Sequence, residues 1–161
     1  MIERYEEGAV VDSREMVEKH PDKLHEWNTD NIREFRANRG KIASFGDAPL
    51  LLLHSKGAKS GAERINPLAY QPVGDRWAIF ASRAGSPKNP DWYFNLKAHP
   101  DTEIEVGTAD GVETIRVTVH EAVGAERDEI WERQKEQQPG FAEYEQQTEG
   151  RVIPVLLLTR K

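Results

Sequence analysis

The side chains that could do chemistry are concentrated in short, separated stretches. The first, GAKSGAERINPLAY at 57–70, sets Lys59 and Ser60 between two glycines, with Lys56 just ahead of them. Glycines at that spacing let the backbone bend and turn its amide N–H groups to one side, and a concave set of amides with lysine charge around it holds anions. The chain then straightens, and strand alternation places Arg64 and Asn66 on one face, opposite Ile65. Arg64 can donate a forked pair of hydrogen bonds to a phosphate or carboxylate, and Asn66 offers both a donor and an acceptor. Pro67 brings no N–H to a ladder, which suits an edge or a bulge that a flat ligand could approach. A solvated hairpin tip uses the same residue types, so both readings stand at this point.

The second stretch, ASRAGSPKNPDWYFNLKAHP, carries Arg83, Gly85 and Lys88 between a strand end at Ser82 and a helix expected to start near Pro90 with Asn89 as its N-cap. A basic loop that meets a helix N-terminus is a second favourable place for an anion. Trp92, Tyr93 and Leu96 follow at helical spacing, the usual pattern of a core face.

Other chemistries are excluded by what the sequence lacks. Ala58 separates Gly57 from Lys59, so the first stretch is not a Walker loop, and Gly57 and Gly61 lack the middle glycine of a dinucleotide fingerprint. His20, His25, His54, His99 and His120 show no metal-ligand spacing, and no metal site is expected. Ser44, Ser55, Ser60 and Ser82 sit in no G-x-S-x-G elbow. Cysteine is absent, which removes disulfides, thiolate zinc sites and cysteine nucleophiles together. With 28 acidic against 22 basic residues the formal charge is -6, which argues against a general nucleic-acid binder but leaves room for a local basic site.

The elements that position these stretches follow from pattern and punctuation. A length of 161 residues suits one domain. No apolar run is long enough for a membrane span, and the first twenty positions are acidic where a secretory signal is apolar, so a cytoplasmic protein is expected. From 12 to 39 the charged chain is divided by Pro21. Two short helices are expected there, with Leu24, Trp27, Asn31 and Phe35 on one stripe and Gly40 at the stop. They read as helices laid over the domain, because acidic residues interrupt the polar face where a membrane-surface helix is basic. Strands are expected at 50–54, 64–71, 76–82, 102–108, 112–123 and 153–159, with a hairpin turn at Asp110-Gly111. A further helix is expected over GAERDEIWERQKEQQ, closed by Pro139-Gly140, and the acidic run 143–149 reads as a solvated face. The fold class is α+β: about six mostly antiparallel strands forming a barrel, with N-terminal and inserted helices.

GAKSGAERINPLAY, FASRAGSPKNPDWYFNLKAHP and GRVIPVLLLTR, in that order, resemble the deazaflavin-dependent nitroreductase family of the actinobacteria, split-barrel oxidoreductases that use coenzyme F420. The resemblance runs from about His25 to the C-terminus. It implies a split β-barrel over 46–161 that binds deazaflavin, with 1–45 as a helical segment packed on it. Reduced cofactor, F420H2, would lie in a groove and pass hydride to a small-molecule acceptor such as a quinone, enone or nitroaromatic. Lys56, Lys59, Ser60, Arg64 and Lys88 would form a basic cleft for the cofactor's phosphodiester and oligoglutamate tail. Arg64, Asn66 and Pro67 would lie along phosphate and ring, Ser82, Arg83 and Asn95 toward the deazaflavin, and Trp92 would wall the pocket that Phe141 and Tyr144 shape. Ser82 and Tyr144 would be its catalytic hydroxyls. Relatives often carry arginine where this chain has Ala58. Nitroimidazole-activating relatives place several tyrosines where it reads QQPGFAEYEQQTEGRVIP, in which only Tyr144 keeps a phenol. Poor turnover of bicyclic nitroimidazoles is therefore expected, with quinone or enone reduction retained, since phenylalanine only packs. Alternatives are a split-barrel oxidoreductase using flavin mononucleotide (FMN), a non-catalytic F420 carrier, and a nucleic-acid or scaffold module. Stable membrane insertion and nucleic-acid partners are not expected; peripheral membrane contact and oligomeric state stay open.

Overall fold

The computed structural model describes residues 21–161, with side chains from Glu26 onward. The helix expected before Pro21 and the side chain of Leu24 lie outside this range. Helix α1, Pro21–Ala37, begins at the proline that divides the N-terminal segment and ends just before Arg39 and Gly40, both left-handed. Gly40 packs so closely on the sheet that a Cβ there would lie 2.7 Å from the Gly107 Cα. Only a glycine pair brings the two backbones together this way.

The strands are β1 Leu50–Lys56, β2 Glu63–Ala69, β3 Gln71–Val73, β4 Arg76–Phe80, β5 Asp101–Thr108, β6 Gly111–Ala122 and β7 Val155–Arg160. They form one seven-stranded sheet in the order β2-β1-β5-β6-β7-β4-β3, with every pairing antiparallel. This curled half-barrel with helices on it is the expected α+β split barrel, with one strand more. Gln71 belongs not to β2 but to β3, where it pairs with Ala78. The β5–β6 hairpin turns at Ala109 and Asp110, and Gly111 already pairs with Thr108, one residue from the expected turn.

Helix α2 spans Asp91–Ala98, α3 Gly124–Gln137 and α4 Gly140–Gln147. Helix α4 was not expected. Pro139-Gly140 ends α3 and also starts a new helix, with Pro139 as N-cap. Glu143 and Glu149 are exposed as a solvated face requires, but Phe141 and Tyr144 turn inward one helical turn apart.

Apolar side chains fall into three layers, which explains why β1 and β7 are nearly unbroken leucine runs: both faces of each are covered. Inside the curl, Leu51, Leu53, Ile79, Ile104 and Leu156 pack with Trp92 and Leu96 of α2. Over one outer face, Phe35 of α1 and Ile42 cover Leu50 and Leu52. Over another, α3 and α4 cover Ala78, Phe80, Val155 and Leu157. Strand β6 instead alternates buried Ile115, Val117 and Val119 with exposed Arg116, Thr118 and His120, so part of its outer face meets water. No helix among the described residues is long and apolar enough to cross a membrane.

Candidate cofactor site

The basic loop after β1 is closed by its own backbone. Gly57 N–H donates to Ala62 O at 2.8 Å, Gly61 N–H to Gly57 O at 2.9 Å, and Ala62 N–H to the Ser60 hydroxyl at 3.1 Å. The Ser60 hydroxyl occupies the space a Cβ on Gly57 would need. Helix α2 holds the loop from outside. Asn95, 8% exposed, accepts the Ala58 N–H on its Oδ1 at 3.0 Å and donates its Nδ2 to Ser55 Oγ at 3.4 Å. Asn95 thus joins the first chemical stretch to the second.

In the β1–β2 register, Ser55 pairs with Arg64 and Leu53 with Asn66, so Arg64 and Asn66 share the inward-facing side of β2. Pro67 pairs with Leu52 and lies on the other face, with Ile65 and Ala69. It sits on an edge strand, where a missing N–H is tolerated.

The loop between β4 and α2 has a less common backbone. Arg83, Ala84 and Gly85 have φ of 46°, 53° and 79°, three left-handed residues in a row, two of them bearing a Cβ. Such residues cost on the order of 1–3 kcal/mol each unless their surroundings hold them. Gly85 is pressed against α4, where a Cβ would lie 2.8 Å from Gln147 Oε1 and 3.1 Å from the Tyr144 Cα. From the other side comes Arg151, in the segment before β7. Its Nη1 donates to Ala81 O at 2.8 Å and Asn89 Oδ1 at 2.6 Å. Its Nη2 donates to Ser82 O at 2.8 Å and Ser86 O at 2.7 Å, and its Nε to Ser86 O at 3.1 Å. Arg83 Nη1 reaches the Ser86 hydroxyl at 2.6 Å. Burial, and then the charge of Arg83, pull the Arg151 guanidinium below the usual arginine pKa. Asn89 is therefore not the N-cap of α2. Pro90 takes that position without a side-chain cap, because the Asn89 oxygen is committed to Arg151.

The three stretches meet in space, the first and second through Asn95 and the second and third through Arg151. The expected pocket aromatics do not gather in one place. Trp92 is 7% exposed in the inner layer, whereas Phe141 and Tyr144, at 6% and 8%, lie in the layer under α3 and α4, edge-on to one another at 5.4 Å. Ala84 rests on that second layer, which makes it a bed for the Arg83–Gly85 turn.

Sequence reasoning assigned no role to Arg151 or Tyr70. Arg151 stands in the quoted GRVIP run, but its partners are 62 to 70 residues away. Tyr70 ends the first stretch; it packs against the inner layer, and burial raises its phenol pKa.

Lys56, Lys59, Arg64, Arg83, Lys88 and Arg151 make no ion pair with any described carboxylate; Arg39, Lys41, Arg116 and Arg160 share that property but lie outside these loops, whereas Arg36, Arg76, Lys97, Arg133 and Lys135 are paired. Among the described residues this leaves a cluster of positive charge along these loops on a chain of charge -6. A donor set of that kind fits a ligand with several negative charges. A cleft of about 410 Å³ lies elsewhere, between Phe45–Pro49 and the α3–α4 turn at Gln138 and Pro139; it contains Asp47 and none of these cations, so it does not suit such a ligand. Among the described residues no group of acidic and histidine side chains could hold a metal ion.

A family model described as F420H(2)-dependent quinone reductase matches residues 27–160. The chain belongs to that family. A curated member from Mycobacterium tuberculosis, an F420H(2)-dependent quinone reductase, is 39% identical over 131 residues, covering 79% of this chain and 85% of the relative. Among solved structures, an F420-H2 dependent reductase (FDR-A) is 39% identical with a TM-score of 0.60, covering 69% of this chain and 94% of that one. A chain solved as a domain-swapped dimer is 35% identical, also at a TM-score of 0.60, covering 86% of this chain and 99% of that one.

Proposed function

We propose that this protein is an F420H2-dependent reductase that delivers hydride to a quinone-type acceptor. The observation that carries this reading is the set of cations on these motifs without a carboxylate partner among the described residues, in a member of the F420H2-dependent quinone reductase family. A cofactor with a phosphodiester and an oligoglutamate tail supplies the missing negative charge. In such an enzyme the hydride chemistry belongs to the cofactor, and the protein binds and orients it.

When bound, F420H2 supplies the hydride. The residues of this chain bind and orient it. Lys56, Lys59, Ser60, Arg64 and Lys88 receive the anionic part, with Arg64 donating a forked pair of hydrogen bonds. Asn66 lies on β2 on the same face as Arg64, while Pro67 acts from the opposite face only through the backbone of this edge strand. Ser82 and Arg83 present the strained turn to the ring, and Asn95 keeps the Ser55–Ala58 backbone in place. Ser82 and Tyr144 are the proposed catalytic hydroxyls, with Trp92 as apolar backing in the inner layer and Phe141 and Tyr144 as a separate backing in the layer under α3 and α4. Residues 1–45 are proposed as a segment packed on the cofactor-binding 46–161. The burial of Phe35 against Leu50 and Leu52 supports that division.

The test is a fluorescence titration of cofactor-free protein with oxidised F420, with FMN as parallel ligand, followed by a quinone reduction assay. Saturable F420 binding at micromolar or lower concentration, much weaker FMN binding and quinone turnover are expected. Preferential FMN binding would overturn the deazaflavin reading, and tight F420 binding without acceptor reduction would make the protein a carrier.

A further inference from the structure

We propose that Arg151 is a positioning residue for the cofactor: it moulds the 81–89 loop into its binding shape and supplies the half-buried positive charge that makes the loop select an anion. This rests on the F420 reading above.

A guanidinium has five N–H donors in a rigid fork. In Arg151 they account for the five hydrogen bonds to Ala81, Ser82, Ser86 (twice) and Asn89, and every acceptor is a carbonyl or amide oxygen. The three backbone carbonyls thus converge on one cation. The Ser82 carbonyl also accepts Gly85 N–H at 3.0 Å, and the Arg83 carbonyl accepts Ser86 N–H at 3.0 Å, so the turn that contains the left-handed Arg83 and Ala84 is closed around the guanidinium. That convergence holds a backbone the chain would otherwise leave.

Arg151 is itself firmly mounted. Thr148, 1% exposed, places its hydroxyl 2.8 Å from the Arg151 carbonyl. Ile153 and Pro154 just beyond are buried, and Pro154 O accepts Ala81 N–H at 3.0 Å. The loop is therefore moulded on the buried segment that leads into β7.

The charge has a separate consequence. No described carboxylate pairs with Arg151, and the like charge of Arg83 opposes it. Carbonyl dipoles solvate a cation without cancelling its field, so the loop remains electropositive with Lys88 at its rim. A phosphate or carboxylate arriving there relieves the repulsion between the two arginines. Lysine keeps the charge but not the fork, because an ammonium is a compact point charge with three donors. Methionine removes both.

The experiment compares wild type with R151K and R151M in three readouts: F420 affinity at two salt concentrations, KM for F420H2 against KM for a soluble quinone, and amide hydrogen exchange of residues 83–88 without ligand. N89A, which removes one of the five contacts, serves as the variant least disturbing to folding. R151K should bind F420 about tenfold more weakly, as expected for lost charge-assisted bonds, and R151M more weakly still with a shallower salt dependence. N89A should show a smaller loss. KM for F420H2 should rise while KM for the quinone holds, and exchange should quicken at 83–88 but not in β5 and β6. If wild type binds F420 and R151K and N89A bind it equally well with unchanged loop exchange, the inference is overturned. Exchange that rises uniformly across the sheet overturns it too, since Arg151 would then only stabilise the fold. If wild type fails to bind F420, the functional reading falls and the cofactor half of this inference with it, whereas loop-specific exchange in R151K still supports the moulding half.

Discussion

The Oδ1 of Asn95, buried in the first turns of α2, accepts the backbone N–H of Ala58 at 3.0 Å from a loop 37 residues earlier in the chain. This bond fixes the basic loop relative to the helix that follows the second basic loop. An N95L variant would leave the Ala58 N–H without its partner and Ser55 with one contact fewer. The expected cost is about 1–3 kcal/mol of stability, the usual range for stranding a partly buried donor. F420 affinity should fall as well, because Lys56 and Lys59 lose their placement. Thermal melting and the F420 titration read the two effects separately; a stability loss with unchanged affinity would show that the loop reaches its bound shape without α2.

Lys59 and Arg64 are exposed and have no carboxylate partner among the described residues, so removing their charge costs the fold little. K59A and R64A should each weaken F420 binding by roughly 1.5–3 kcal/mol, as charge-assisted contacts do, with a melting temperature close to wild type. Unchanged affinity in both variants would reduce the 57–62 loop to a solvated turn.

Glu105 on β5 organises a second ionic site, on the face covered by α1. Arg36 grips it with Nε at 2.9 Å and Nη2 at 2.7 Å, and His54 Nε2 lies 2.7 Å from the same carboxylate while its Nδ1 faces Glu63 at 3.1 Å. Burial pushes the Glu105 carboxyl up, but the hydrogen bonds from Arg36 and His54 outweigh it and leave the pKa below the usual glutamate value. A carboxyl depressed in the folded state stabilises above its unfolded pKa, and that stability is lost as pH falls through the folded value. Wild type should therefore lose stability in acid more steeply than E105Q, which should be weaker at neutral pH by about 1–3 kcal/mol. Denaturant melts from pH 7 to pH 3 measure this; parallel curves would mean that Glu105 is not a coupling point between α1 and the barrel.

The barrel was legible in the sequence because its strands alternate or run as leucines between clear turn residues, and the three chemical stretches were visible as glycine-broken basic runs. What escaped had tertiary causes. Asn89 has the chemistry of an N-cap, but Arg151 takes its oxygen from 62 residues away. Strand β3 is too short to show a period of two and contains Pro72. Pro139-Gly140 marks a helix end by every local rule, and the burial of Phe141 and Tyr144 under the loop is what continues the chain as α4. Trp92 and the Phe141–Tyr144 pair were grouped as one pocket because aromatic residue types do not say which face of a curled sheet they will cover.

Gly85 brings the packing of α4 and the shape of the 81–89 loop to a single atom. Its φ of 79° is left-handed, and a methyl group on it would meet Gln147 Oε1 at 2.8 Å and the Tyr144 backbone at 3.1 Å. G85A therefore carries two costs, strain at a positive φ and a clash with a helix backbone that cannot rotate away. The glutamine end can move, but the Tyr144 Cα moves only with α4. The expected result is a loss of about 1–3 kcal/mol in stability and, because Arg83 and Ala84 are displaced with it, weaker F420 binding. G85A combined with Q147A should recover part of the stability but not the affinity, since trimming the glutamine removes the Oε1 contact and leaves the Cβ of residue 147 and the Tyr144 Cα, both at 3.1 Å, together with the backbone strain. Full recovery of both would show that the contact with α4 was steric only and that the left-handed turn does not set the binding shape.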